Sequence, residues 1–332
     1  MGRIVLAGAS GYLGRHVARE LIRRGHSLLL PMRAAVALPQ AEQERTTEPT
    51  NPSPQSVDSF LVDFRDRETL TEQFRKFSPD GVVSCISSRQ GGIEDAWQVD
   101  YAANRGLLDA SLASGVKHFT LLSAICVQKP RLAFQLAKLR FEQELIASGL
   151  KYSIVRPTAF FKSLSGQVER VKAGKPFFLF GDGQLTRCKP IAERDLAEYL
   201  CNTLEQESLQ GVLPIGGPGT AISPLEQARL LFQCANKPLR LRRIPAAAPK
   251  HISRLLAVPG RWSSRWQDRA EFARIAHYYA TESMLLWDER QQCYDADATP
   301  SFGSVHLEDS YRDQLSGINS QELGQQAVFS RH

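Results

Sequence analysis

The segment Gly8-Ala9-Ser10-Gly11-Tyr12-Leu13-Gly14 narrows the fold more than any other stretch of this 332-residue chain. An apolar run, Arg3–Ala7, leads into it, and an amphipathic pattern, Tyr12–Arg24, leaves it. Strand, three glycines and helix make the spacing of a dinucleotide-binding turn. The first glycine permits the tight turn, the second lets backbone amides approach a pyrophosphate, and the third lets helix and strand pack closely. The helix N-terminus then faces the phosphates with free amides and partial positive charge. Gly8, Ser10, Gly11, Tyr12, Leu13, Gly14 and Arg15 are the candidate cofactor-binding residues of this turn.

Short apolar runs alternate with amphipathic patterns through the first half, the signature of βαβ units and a parallel sheet. Strands are expected at Arg3–Ala7, Ser27–Met32, Phe60–Val62, Gly81–Ser84, His118–Leu122 and Tyr152–Val155. Helices are expected at Tyr12–Arg24, Arg67–Phe77, Asp95–Ser114 and Leu132–Ser148. The class is α/β: a doubly wound, parallel Rossmann-type sheet over residues 1–156 and a smaller C-terminal substrate lobe over 157–332. Some strands and helices of that lobe are expected to return to the sheet. Ala34–Val57, rich in Pro, Gln, Thr and Glu without apolar period, reads as a surface insertion.

With 42% hydrophobic and 23% charged residues, the chain is not mainly disordered. Its net charge of +6 reads as a mild excess spread along the chain, which excludes a nucleic-acid binder and leaves room for an anionic partner. Six cysteines without a C-x-x-C pair point to reduced, mostly buried thiols, and no metal site is expected. No apolar run reaches the ~18 residues of a membrane span, so any membrane contact would be peripheral. The first strand starts at Arg3, which leaves no room for a leader and suggests a bacterial, cytoplasmic protein.

The second strand ends in Pro31-Met32-Arg33, where an NAD enzyme carries an acid for the ribose diol. Arg33, with help from Arg15, can instead bond a 2′-phosphate, which favours NADPH. Asp63 is placed either to accept from the adenine amino group or simply to form a turn.

Ser123 ends the fifth strand, and Phe134-Gln135-Leu136-Ala137-Lys138 opens the next helix. The arrangement resembles short-chain dehydrogenases, which carry a Ser there and Tyr-x-x-x-Lys on the helix. The i,i+4 spacing keeps Lys138 on the face of position 134, pointing toward a nicotinamide ribose. Phe134 cannot donate a proton. A ketone reduction localises charge on one oxygen and needs a donor; reduction of a C=C bond conjugated to a large π system does not. Pro157 and Thr158 follow the sixth strand at the ligand-binding edge. Phe160, Phe161, Phe178 and Lys162 then suit a flat hydrophobic substrate bearing a carboxylate, although core packing explains such aromatics equally well. No stretch offers the nucleophile–base pairing of a hydrolase.

The run from Leu122 to Pro130, LSAICVQKP, followed by Phe134 and Lys138, resembles the atypical short-chain dehydrogenase/reductases of the NmrA-like branch. Within them it resembles the NADPH-dependent divinyl chlorophyllide a 8-vinyl-reductases. The likeness continues in Tyr152–Leu164, Phe180–Gly183, Cys188–Ile191, Leu213–Gly219, Tyr278–Met284 and Tyr294–Ser301. That family also looks like Phe-x-x-x-Lys. The resemblance implies hydride transfer from NADPH to the 8-vinyl group of a divinyl chlorophyllide or protochlorophyllide in chlorophyll or bacteriochlorophyll biosynthesis. Lys138 would then position the ribose and Ser123 border the nicotinamide. Plant members carry a transit peptide, so the resemblance also points to a photosynthetic bacterium, with contact at a photosynthetic membrane or with other pigment-biosynthesis enzymes. Two rival readings stay open: an NADPH-binding scaffold or redox sensor without turnover, and a double-bond reductase for a smaller substrate.

Overall fold

The computed structural model describes residues 1–34, 56–89, 91–260 and 263–317. Seven parallel strands form the main sheet: β1 (Arg3–Ala7), β2 (Ser27–Met32), β3 (Val57–Leu61), β4 (Gly81–Ser84), β5 (His118–Leu122), β6 (Lys151–Pro157) and, after a short β7 (Phe177–Phe180) outside it, β8 (Gly211–Ile215). Their order is β3-β2-β1-β4-β5-β6-β8. The direction of winding reverses between β1 and β4, which opens a crevice at the carboxyl edge where such sheets bind ligands.

The sheet's near-continuous apolar runs are buried on both faces. On one side lie α1 (Tyr12–Arg23) and, from far along the chain, α8 (Glu193–Glu205); Leu13, Val17 and Leu21 pack with Leu196, Leu200 and Cys201. On the other lie α2 (Arg67–Phe77), α3 (Ile93–Ala96), α4 (Asn104–Ala113) and α5 (Ala133–Ala147). Leu70, Phe74, Leu107, Phe119, Phe141 and Leu145 fill that second layer. The Asp66 side chain caps α2 by accepting from the Thr69 amide at 3.0 Å.

Two expectations need correction. The third strand starts at Val57 rather than Phe60, because its pairing with β2 runs from Leu28↔Val57 to Met32↔Leu61. It is an edge strand with an exposed face, so its apolar letters do not mark its extent. The single helix expected over Asp95–Ser114 is interrupted by a π-helical stretch, Trp97–Ala103. The insertion expected at Ala34–Val57 lies, between residues 35 and 55, outside the described residues.

Past β6, α6 (Phe161–Leu164), α7 (Val168–Lys172), α9 (Pro224–Cys234) and α12 (Leu307–Ser316) enclose a separate apolar cluster with β7 and its parallel partner β9 (Leu241–Ile244). The helices α10 (Ala248–Gly260) and α11 (Ser264–Thr281) follow β9, and a small antiparallel pair, β10 (Leu286–Asp288) and β11 (Cys293–Asp295), follows them. Contrary to the even spread expected of the charge, residues 240–281 hold nine of the 41 Lys and Arg and two of the 35 Asp and Glu. That segment alone carries +7, leaving −1 for the remainder. All six cysteines are free, with Cys126 and Cys201 buried and Cys293 exposed. Among the described residues no helix is long and apolar enough to cross a membrane.

Candidate active site

The glycine turn is built as a cradle of main chain. Gly8 sits at φ +87°, a conformation L side chains rarely adopt, and Gly11 N–H donates to its carbonyl at 2.9 Å. A Cβ on Gly14 would fall 2.0 Å from that same carbonyl oxygen. The first turn of α1 has no side-chain cap and no acidic residue. Its amides are therefore left for an anion, and a dinucleotide pyrophosphate fits them. Ser10 is half-buried beside the turn, and Leu13 anchors it in the core.

Tyr12 ties this turn to the C-terminal lobe. Its hydroxyl bonds Glu193, and burial together with the Glu193 charge raises its pKa. Lys162, expected at the substrate, instead holds its Nζ 3.9 Å above the Tyr12 ring. The Lys162 amide donates to buried Glu193 at 2.9 Å, which fixes that placement, and burial raises the Glu193 pKa. Arg15 and Arg33 are exposed at the same edge. Asp63 is forked by Arg65, at 2.6 Å to Nη2 and 3.1 Å to Nε, and that guanidinium holds its carboxyl down at about 2. Of its two sequence readings, the local turn is the one visible: Asp66 N–H closes it onto the Asp63 carbonyl at 2.8 Å.

Across the crevice the site is made of side chains. Helix α5 carries Phe134, Lys138 and Glu142 at i, i+4 and i+8, one stripe of the helix. Lys138 Nζ lies 2.9 Å from Asp100 Oδ1, and both side chains are almost wholly buried. Asp100 comes from the π-helical stretch; it also accepts from Ser87 Oγ at 2.9 Å and from the Ser88 amide at 3.3 Å. One turn further on, Glu142 accepts from the Ser123 hydroxyl and from the Arg156 guanidinium. Lys138 thus belongs to a buried pair with Asp100 and Ser123 to a neighbouring trio with Glu142 and Arg156, and the two are not bonded to each other.

Asp100, Glu142 and Glu193 are not among the residues singled out from the sequence. The available signal was a carboxylate four residues beyond Lys138 on an otherwise apolar helix face. Phe134 is half-buried against Ile125, Cys126, Leu132, Tyr278 and Met284. Tyr278, the nearby hydroxyl, is committed to the carbonyls of Cys126 and Lys129 at 2.9 and 3.1 Å.

The remaining candidates separate by burial. Phe161 is only 2% exposed in the lobe's apolar cluster, so the expected substrate contact is corrected to a core residue. Phe160 packs half-buried on the sheet's core, and Phe178 lies beneath Arg170 at 4.1 Å. Buried Pro157 ends β6, and the Thr158 hydroxyl donates to the Lys189 carbonyl. The structure therefore brings together Ser123, Phe134 and Lys138, and separately Lys162 with the glycine turn.

Residues 8–207 match a family described as NAD(P)H-binding. Over 335 residues the chain is 42% identical to the chloroplastic divinyl chlorophyllide a 8-vinyl-reductase of Cucumis sativus, spanning 98% of this chain and 79% of that protein. Among solved structures, UDP-glucose 4-epimerase of Thermotoga maritima with UDP-glucose has a TM-score of 0.65 at 16% identity, over 95% of this chain and 98% of that one. An NADPH-dependent quinone oxidoreductase of Escherichia coli, complexed with NADPH, has 0.63 at 16%, over 95% and 99%. At such identities both establish the fold alone. The cucumber protein is chloroplastic, which overturns the bacterial, cytoplasmic placement. That placement leaned on where the first strand begins, and the start of a chain does not report its compartment.

Proposed function

The chain belongs to the family of the divinyl chlorophyllide a 8-vinyl-reductases, within the NAD(P)H-binding proteins, and on that premise we propose how its residues reduce the 8-vinyl group of a divinyl chlorophyllide to ethyl in chlorophyll biosynthesis. NADPH, when bound, supplies the hydride. The observation that carries the reading is the stripe Phe134–Lys138–Glu142: a buried, charge-fixed lysine stands beside a position with no hydroxyl. A carbonyl product oxygen would lack its donor there, whereas charge on a vinyl-conjugated macrocycle is delocalised.

The glycine turn and the start of α1 hold the pyrophosphate, and Arg33 with Arg15 binds the 2′-phosphate. Lys138 orients the nicotinamide ribose, with Asp100 fixing its Nζ. Ser123 borders the nicotinamide, its hydroxyl held back by Glu142. Phe134 and its apolar cluster form a wall for the flat pigment, and the proton is drawn from solvent. The segment beyond Pro157 serves as the substrate lobe. Exposed Ile252, Leu255 and Val258 on the strongly basic α10–α11 segment support a peripheral contact with an anionic membrane surface. Loss of liposome pelleting on Leu255→Asp is the expected check, and unchanged pelleting would remove the contact.

The deciding experiment is an anaerobic incubation with divinyl chlorophyllide and either NADPH or NADH, resolved by chromatography. The 8-ethyl pigment should form, with NADPH preferred. Cofactor binding without conversion would make the protein a scaffold, and a Lys138→Ala protein with unchanged turnover and NADPH affinity would remove Lys138 from its role.

A further inference from the structure

We propose that a cationic cavity between α10, α11 and the start of α5 holds the propionate carboxylate of the pigment. This rests on the reading of the substrate as a divinyl chlorophyllide. The cavity measures about 390 Å³ and is lined by Arg131, Lys250, Arg254, Arg274, His277 and Tyr278, among others. Two of its cations are already neutralised: Arg131 pairs with Glu282 at 2.8 Å and Arg274 with Glu271 at 3.2 Å. Lys250 and Arg254 have no acidic partner among the described residues. The His277 Nδ1 is buried with no hydrogen-bond partner among them. Two uncompensated cations and an unsatisfied ring nitrogen around one cavity specify an anion with hydrogen-bonding oxygens.

The cavity adjoins the site already described through shared residues. Leu132 and Tyr278 line it and also belong to the apolar cluster that packs Phe134. Arg131 lies just ahead of α5, the helix that carries Phe134 and Lys138. Phe134, Ile125, Ile275 and Met284 of that cluster form an apolar floor. Fixed lysine, apolar floor and cationic cavity follow the order of chemistry across a chlorophyllide, whose 8-vinyl group and propionate stand on opposite sides of the macrocycle. The cavity thereby reads the free acid and sets which end of the pigment enters first.

The test compares divinyl chlorophyllide with its propionate methyl ester, on the wild-type protein and on the Lys250→Ala/Arg254→Ala double variant. Both residues are exposed on α10, so the fold should survive; Lys250→Arg, which keeps the charge, serves as rescue. Pigment binding is followed by absorbance without NADPH, and KM and kcat with it. The wild type should favour the acid over the ester by about tenfold or more, the scale of a charge-assisted contact. The double variant should lose that preference, through KM more than kcat, with little change for the ester. Equal weakening of both pigments, or an intact preference, would overturn the cavity assignment. If the wild type binds pigment but leaves the vinyl group unreduced, the functional reading fails, while the acid-to-ester binding ratio still decides the cavity.

Discussion

On the β1 side of the carboxyl edge the binding surface is main chain, whereas on the β5–β6 side it is side chain. The glycine turn needs two positions without a Cβ, Gly8 and Gly14, and a helix start left uncapped; its chemistry is amide N–H. The opposite wall needs Asp100, Lys138, Ser123, Glu142 and Arg156, drawn from four elements and joined as one buried pair and one trio around buried Glu142. Main-chain sites tolerate any side chain that fits and fail by steric change. Buried pairs fail by losing one partner, because the other charge is then stranded.

The largest effect should follow from breaking a pair. Asp100→Ala leaves Lys138 buried and unpaired and should cost about 3–5 kcal/mol of stability, whereas adding Lys138→Met should restore most of it. Urea denaturation of the two variants checks this. Equal stability of single and double variants would show that the pair is not what is lost.

On the main-chain side, Gly14→Ala should cost about 1–3 kcal/mol, since overpacking forces the helix start away from β1. NADPH titration should show the loss too, because the displaced amides are the ligands. Gly11→Ala is the internal control: its Cβ would meet only the Gly8 oxygen, at 3.1 Å, with open space beyond. Were the two alanines equally harmful, the difference in room between these glycines would not govern binding. A smaller change is expected from Arg33→Ala, which should narrow the preference for NADPH over NADH by about tenfold, the scale of one charge-assisted phosphate contact. Initial rates with both cofactors measure it.

The same contrast explains what could be read from the letters. Glycine spacing is local, so the turn, β1 and the start of α1 were legible, as was α2 over Arg67–Phe77. Lys138 was legible because a helix repeats locally. Asp100 was not, because the π-helical stretch that carries it follows no i+3/i+4 pattern and its partner lies 38 residues away. Glu142 and Arg156 are joined only by the packing of α5 on β6, 14 residues apart in sequence. Phe161 and Phe160 are neighbours of one type, yet the first fills the lobe and the second caps the sheet's core, a division made by α6 rather than by residue type.

Mild acid should act on the frame of both sides through two half-buried histidines. His16 stands edge-on to Tyr12 in the glycine turn at 5.7 Å, and His118 opens β5 with Nε2 2.9 Å from Ser153 Oγ. Burial lowers both imidazole pKa values from 6.5, helped by Arg19 and Lys151 respectively. A pKa lower in the folded state means the unfolded chain takes up protons first as pH falls. Their stabilisation is therefore complete above about pH 6.5 and is lost progressively below it, toward the folded values. Tm followed from about pH 7.5 to about pH 5.5 should decline modestly, within the histidine window. His16→Gln should remove the share belonging to the main-chain side and His118→Gln the share beneath β5. If the slope persists in the double variant, these two imidazoles are not what mild acid reaches.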